Sequence, residues 1–536
     1  MLARKTRQGW IKYSVKDYVN YSHAVARALL AMGYPRDTKV ISVTPNRPEW
    51  NFIDMGSALA HMIHVPIYPT LSTEEFSFIF NHSDAQVIFV GNETLYNKIK
   101  PAADSIDREF KIILLDDSDT LFCFRDFLKE GEGSNKEELE AQIAKNIAET
   151  DANDCVSIVY TSGTTGQMKG VMLSHRNLTF DAHGHAIRVT NGPDKKAISF
   201  LPLCHAYERT MSYHYQERGM SIYYAENIGS FAADLADCHG DMFCGVPRVL
   251  EVMYGKFEAA GKNLKGISQK IYFWAMDLAN NFDYYNKNPF YLLKLKIADK
   301  LVYSKWRENL GGHELTVVSG GSSIQEKIIR CFNAAKMNIF EGYGLTETSP
   351  VIAVNNPKEG INKIGTVGTI IEGTEIKFAD DGEILTKGPH VMLGYYKNPE
   401  QTAQAIDSDG FFHTGDIGYM EEGRFLKITD RKKEIFKLSN GKYIAPQAIE
   451  TLINQSYLFD NCIIIGESQK FASAIITVNK ENLKSLAENN KIAFSSVEEL
   501  LNNPSVLTLL NNEVSALTSK LASYEQLKRQ KYVLDE

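Results

Sequence analysis

Tyr160–Gly170 reads YTSGTTGQMKG, and the runs on either side of it decide how the chain is built. On its N-terminal side Cys155–Tyr160, CVSIVY, is apolar and rich in β-branched residues, the composition of a buried strand. On its C-terminal side VMLSHRN predicts a second strand and then a helix start. The loop between carries hydroxyls at Thr161, Ser162, Thr164 and Thr165, glycines at Gly163 and Gly166, and one cation, Lys169. Glycines let a backbone turn tightly and come close to a ligand. Consecutive N–H groups in such a turn make an anion cradle, hydroxyls add donors, and a lysine adds a point charge. The pattern predicts phosphate chemistry. It is not a Walker A loop, which ends in Gly-Lys-Ser/Thr; here Gly166 is followed by Gln167, Met168 and Lys169.

Upstream, apolar residues at helical spacing (Val19, Val25, Leu29) predict a helix over Tyr13–Gly33. A strand is predicted at Val40–Val43, a helix from Trp50 to about His64, another over Glu74–His82 and a strand at Ala85–Val90. This alternation predicts an open α/β sheet. Downstream, LTVVSGGSS at Leu315–Ser323 reads as a buried strand entering a Gly-Gly turn, and IFEGYGLTETSP at Ile339–Pro350 as a strand and turn with an acid near its end. Gly365–Gly368 and Asp381–Pro389 suit a β-rich subdomain with tight turns. Two strand-like runs joined through Gly466 suit a small C-terminal α+β domain.

At 536 residues the chain exceeds one compact core, so more than one domain is expected. The net charge of −8 does not fit a nucleic-acid binder. No apolar run reaches the ~18 residues of a spanning helix. The seven cysteines include no Cys-x-x-Cys pair, which disfavours zinc or disulfide frameworks and suits a reducing, cytoplasmic setting.

Together the loop and these stretches resemble the AMP-forming adenylating enzymes, the superfamily of acyl-CoA synthetases, firefly luciferase and nonribosomal-peptide adenylation domains. LPLCHAYER at 201–209, MFCGVPRVL at 242–250 and IADKLVYSKWRENLGG at 297–312 look like long-chain fatty acyl-CoA ligases. The resemblance implies a large N-terminal domain at 1–431 and a small mobile domain at 432–536, hinged at Lys433. It implies ATP and CoA as co-substrates, fatty acid as the acyl substrate and Mg²⁺ as cofactor. Thr161–Gly166 and Lys169 would take the phosphates. Gly321, Ser322, Glu341, Gly342, Tyr343 and Gly344 would floor the adenosine, with Tyr343 stacked on adenine. Thr346 would reach the α-phosphate, Thr161 and Glu347 would hold the metal, and Asp416 and Arg431 the ribose. Lys437 would serve thioester formation, with Gly441 in a loop facing the CoA channel. His205 would lie beside the acyl carboxylate; taken alone, it reads equally as a buried or capping histidine.

The resemblance breaks at the C-terminus. Relatives carry there a lysine in a Gly-rich loop that serves adenylation. YEQLKRQKYVLDE at 524–536 resembles the region just before that loop, and Lys528 and Lys531 lack its surroundings. The expected activity is a long-chain fatty acid–CoA ligase. A fatty acyl-AMP ligase feeding a carrier protein and an acyl- or nucleotide-binding form without turnover stay open. So do peripheral membrane contact through the aromatic, basic insertion at 256–312, and a homodimer.

Overall fold

In the computed structural model, all residues are described except 162–167, 190, 226, 228, 357–359, 433, 440–441 and 535–536. The chain divides into two compact units, one of residues 1–375 and 386–412, the other of 376–385 and 413–536.

The first unit holds two sheets. In the seven-stranded sheet the order is Gly394–Tyr395, Lys169–Ser174, Cys155–Thr161, Ile63–Ile67, Lys39–Val43, Val87–Val90 and Lys111–Leu114. From Cys155–Thr161 onward neighbours are parallel. Their near-continuous Val/Ile content follows from burial on both faces. The predicted helices and strands along 13–90 are observed, with helices at Val15–Ala31, Pro48–Leu59 and Thr73–His82, but the second helix stops at Leu59 rather than near His64, and Ile63–Ile67 is an additional strand, buried between its neighbours in the sheet.

The nine-stranded sheet has a parallel centre, Met337–Gly344, Leu315–Ser319, Met242–Gly245, Lys196–Ser199, Ser221–Tyr224 and Leu2–Thr6 in that order. Leu2–Thr6 was not legible as a strand, because its basic residues break the apolar run. It is held because Leu2 and Ala3 are buried and pair with Ile222 and Tyr223. The adjoining Gly9–Tyr13 closes this edge as a hairpin partner.

Most of a four-stranded sheet, Glu375–Phe378, Glu383–Lys387, Phe412–Glu421 and Phe425–Arg431, belongs to the second unit and takes in the tight-turned stretch read at Asp381–Pro389. The second unit also contains a separate core around Ile449, Ile476 and Leu510 on a three-stranded sheet, Phe459–Ile465, Ser473–Val478 and Arg529–Val533. No helix among the described residues is long and apolar enough to cross a membrane.

One buried charge network ties the first unit together. Arg209, on the helix Ala206–Glu217, is almost wholly removed from water. It donates to the carboxylate of Asp54 on helix Pro48–Leu59 and to Ser157 in strand Cys155–Thr161. His64 Nδ1 lies 2.7 Å from Asp54 Oδ1, and His64 Nε2 lies 2.7 Å from Ser42 Oγ. Burial alone would raise the Asp54 pKa, but the Arg209 charge and the bonds from His64 and Tyr213 hold it down at about 2. Removing one partner of such a pair strands a charge in a dry interior, at a cost of about 3–5 kcal/mol. Arg209→Met is therefore expected to lower the urea midpoint sharply. Arg209→Met combined with Asp54→Leu should recover much of the loss, since an apolar replacement of both partners is tolerated. An unchanged midpoint in the single variant would show that the pair is not dry in solution.

Candidate nucleotide site

The strands that flank the Gly/Thr-rich loop are hydrogen-bonded neighbours. Strands Cys155–Thr161 and Lys169–Ser174 run antiparallel, with Thr161 opposite Lys169 and Tyr160 opposite Gly170. Thr161 and Lys169 thus bracket the loop, while Ser162, Gly163, Thr164, Thr165 and Gly166 lie outside the described residues. The helix predicted after the second strand is His175–Arg188. It opens on a capping box, in which Ser174 Oγ accepts from the Asn177 N–H and Asn177 answers to the Ser174 N–H.

The other predicted loops sit at the C-terminal ends of parallel strands, where open α/β sheets place ligands. Ser319 pairs with Glu341 at the ends of Leu315–Ser319 and Met337–Gly344. Gly321 follows with φ +88°, a left-handed conformation that glycine adopts without strain, and Ser322 is exposed beside it. Gly320 packs 3.4 Å from the Tyr207 ring, measured from where a Cβ would stand. Tyr207 also donates to the Val318 carbonyl at 2.9 Å, so the loop and the His205 helix are held together.

His205 is the N-cap of that helix. Its Nδ1 accepts from the Tyr207 N–H at 3.1 Å, so the neutral ring carries its proton on Nε2. The ring is reachable by solvent but set in a recess, and desolvation lowers its pKa. It is both the capping residue that the sequence allowed and a neutral donor facing outward.

In the strand Met337–Gly344, Glu341 is pushed well above the carboxylate range by burial and by Glu326. Tyr343 pairs with Ala353 next to a bulge at Gly344. A Cβ on Gly344 would stand 1.5 Å from the Pro350 carbonyl oxygen, so only glycine fits; on Gly342 the nearest atom is 3.6 Å away. Thr346–Thr348 is one 3-10 turn. It is fastened from three sides: Thr348 Oγ1 donates to the Pro350 carbonyl, Thr210 donates to the Ser349 carbonyl, and the Met392 N–H donates to the Glu347 carbonyl.

One residue joins the two sheets at this point. Tyr395, in the edge strand Gly394–Tyr395, donates its hydroxyl to Glu347 Oε1 at 2.9 Å. Lys169 Nζ stands 4.9 Å from the centre of the same ring, a cation–π contact. The structure therefore brings Lys169 and Glu347 to one phenol, with Thr161 opposite Lys169 in the hairpin register. A cavity of about 180 Å³ opens beside Lys169, lined by His82, Tyr396, Lys397 and Gln401 among others.

The donor set suits a hard cation shared with phosphates. No group of three or more His, Cys, Asp or Glu that could hold a metal occurs among the described residues. Among the described residues, Glu347 offers a carboxylate and Thr161, at the start of the loop, a hydroxyl. Mg²⁺ is commonly bound by one or two carboxylates, with substrate phosphates and water completing an octahedron.

The second unit holds the remaining predicted residues. Asp416 and Arg431 face each other across strands Phe412–Glu421 and Phe425–Arg431, with Arg431 Nε 3.0 Å from Asp416 Oδ1. Lys437, in the short strand Phe436–Lys437, is exposed, with Nζ 5.3 Å from the centre of the Tyr443 ring. Lys433 and Gly441 lie outside the described residues.

Sequence reasoning missed Tyr395, Thr210 and Arg209. Nothing in VMLGYYKN at 391–398 says which tyrosine reaches Glu347.

Comparison with known proteins follows this layout. Residues 3–396 match the family described as AMP-binding enzyme, and residues 433–533 match the AMP-binding enzyme C-terminal domain. Long-chain-fatty-acid–CoA ligase FadD15 of Mycobacterium bovis is 30% identical over 532 residues, covering 97% of this chain and 86% of that protein. Long-chain-fatty-acid–CoA ligase 1 of Homo sapiens is 30% identical, covering 98% of this chain and 78% of that protein. Among solved structures, an ATP-bound RpMatB-BxBclM chimera has TM-score 0.72 at 20% identity, covering 99% of this chain and 92% of that one. At that identity the likeness is one of fold.

The two glycines flanking Tyr343 make a paired test. Gly344→Ala is expected to displace the 346–348 turn, lowering both the thermal midpoint and the affinity for ATP. Gly342→Ala should leave the thermal midpoint close to wild type, since a Cβ there meets nothing nearer than 3.6 Å. Equal behaviour of the two variants would contradict the close approach of Pro350.

Proposed function

The chain belongs to the family of AMP-binding enzymes, and from that premise we propose that it is an AMP-forming long-chain fatty acid–CoA ligase. The carrying observation is the meeting of Lys169 and Glu347 at Tyr395, with Thr161 opposite Lys169 at the mouth of the loop. It is supported by near full-length similarity to proteins named as long-chain fatty acid–CoA ligases.

In the first half-reaction the fatty carboxylate attacks the α-phosphorus of ATP. A P–O bond forms to the acyl oxygen, the α–β bridge breaks, and diphosphate leaves. The protein's work is positioning and charge neutralisation rather than covalent chemistry. The hairpin holds the triphosphate between Thr161 and Lys169. Tyr343 stacks on adenine, with Gly321, Ser322, Glu341, Gly342 and Gly344 lining the adenosine. Thr346 meets the α-phosphate. Glu347 and Thr161 would hold Mg²⁺, which would supply charge neutralisation on the triphosphate. The Nε2–H of His205 donates to the acyl carboxylate. Asp416 and Arg431 serve the ribose hydroxyls.

In the second half-reaction the CoA thiolate attacks the acyl carbonyl and AMP departs. A thiolate is nucleophilic enough that no protein nucleophile is needed. Lys437 acts in this step, after the segment 432–536 pivots at Lys433 against 1–431. A long-chain acyl substrate partitions into bilayers, so the enzyme is placed in the cytoplasm with peripheral contact at a membrane face.

Diphosphate release from ATP and palmitate, with and without CoA, tests the reading. Release that rises with CoA, together with palmitoyl-CoA, is expected; absence of ATP binding would overturn it. Glu347→Ala should reduce Mg²⁺-dependent adenylation by about 10²–10³, the usual cost of removing one preorganised electrostatic partner. Full activity would remove Glu347 from the metal site. Lys437→Ala should slow thioester formation more than adenylate formation in single-turnover assays. Equal slowing of both steps would contradict its role.

A further inference from the structure

The helix Pro289–Ala298, sequence PFYLLKLKIA, has more apolar surface than its packing uses. Its inward side is already committed. Ala298 is buried, and Tyr291 donates toward the carbonyls of Leu278 and Asn281 on the preceding helix, Gly266–Asn280. The helical path continues through a π-turn at Asp299–Tyr303 into Ser304–Glu308. There Val302, Tyr303 and Trp306 are buried, with Tyr303 donating to the Ala275 carbonyl at 2.6 Å and Trp306 to the Tyr272 hydroxyl at 2.7 Å. The element is therefore clamped along one side and is not a loosely attached hairpin.

The opposite side is apolar as well, and exposed. Phe290, Leu293, Ile297 and Leu301 recur at steps of three, four and four residues, the spacing of one helical stripe. They are 76%, 56%, 45% and 44% exposed. A helix that is apolar on all sides belongs in a core or in lipid, and this one has water on the outer side. The charges around the stripe identify what fits there. Between positions 287 and 305 stand five lysines (Lys287, Lys294, Lys296, Lys300, Lys305) and one acid, Asp299. All five lysines are exposed. Asp299 is engaged with Arg307 at 2.6 Å and Lys336 at 3.2 Å, so it does not offset them. This cationic patch sits on a chain whose net charge is −8.

We propose that the outer face of 289–301 is the surface by which this protein lies on an anionic phospholipid bilayer. Phe290, Leu293, Ile297 and Leu301 enter the boundary between headgroups and acyl chains, and Lys294, Lys296 and Lys300 meet lipid phosphates. Lysine stems are long enough to run beside a half-immersed helix while the ammonium stays in the headgroup layer. Paired insertion and charge are what a reversible interfacial helix needs. A second copy of the chain is a poorer occupant, because a two-fold contact through this face would set lysines against lysines. The proposal rests on the peripheral placement given above, and on none of the catalytic assignments.

The test is flotation of the full chain with phosphatidylcholine vesicles, with and without phosphatidylglycerol, at low and high salt and without substrate. Wild type is expected to float with the anionic vesicles and to be released by salt. A triple variant, Phe290→Ser with Leu293→Ser and Ile297→Ser, and a charge variant, Lys294→Gln with Lys296→Gln and Lys300→Gln, should each bind about tenfold more weakly. Both should keep adenylation of a short, water-soluble acid, which reports an intact fold and separates failure here from failure of the ligase reading. The proposal is overturned if wild type does not bind anionic vesicles, or if neither variant weakens binding. It is also overturned if sedimentation shows a dimer that the serine variant dissociates while vesicle binding is unchanged.

Discussion

A guanidinium with almost no water around it sets the layout of the first unit. Arg209 must find its counter-charge and hydrogen-bond partners inside the protein, and it finds them on three different elements. Asp54 comes from one helix, Ser157 from the strand that enters the phosphate hairpin, and Tyr213 from the next turn of Arg209's own helix. Because a dry charge tolerates little displacement, these elements are held in one relative position. The helix so fixed is capped by His205 at its start, and the strand so fixed ends in Thr161. A buried arginine therefore sets the distance between His205 and the start of the loop that follows Thr161.

Close backbone approach does the same work at the second sheet. Gly344 lies against the Pro350 carbonyl, and the turn at 346–348 is pinned by hydrogen bonds from Thr210 and from the Met392 amide. The Thr210 bond starts on the same helix as Arg209. Both sheets are thus referred to one rigid body, and Glu347 inherits its position from it.

Much of this was legible in the sequence, where local chemistry and long-range structure agree. β-branched runs such as CVSIVY are buried parallel or hairpin strands, and SGG and EGYG mark strand ends because tight turns there demand glycine. What was not legible depends on register or on burial of charge. Leu2–Thr6 has the residues of a surface segment and becomes a strand only because Ser221–Tyr224 offers a parallel edge. Asp416 and Arg431 were read as separate ribose contacts. Their ion pair follows from a hairpin register that no local pattern encodes. The aromatic insertion at 256–312 divides between core and surface: Tyr272, Tyr303 and Trp306 are buried, whereas Phe290 lies outside. Periodicity cannot say which of two apolar faces a helix will bury.

Tyr395 has one more consequence. Its face meets a cation, Lys169, and its hydroxyl meets an anion, Glu347, so one ring engages both charges, and among the described residues the two form no ion pair with each other. Had the two charges closed into an ion pair, an incoming nucleotide would have to break that pair before gaining anything from either member. Engaged by the aromatic ring instead, each retains its field for a ligand that carries opposite charges of its own, a polyanion with its metal. The local electrostatic tension is sustained by the fold, and it is released when such a ligand binds.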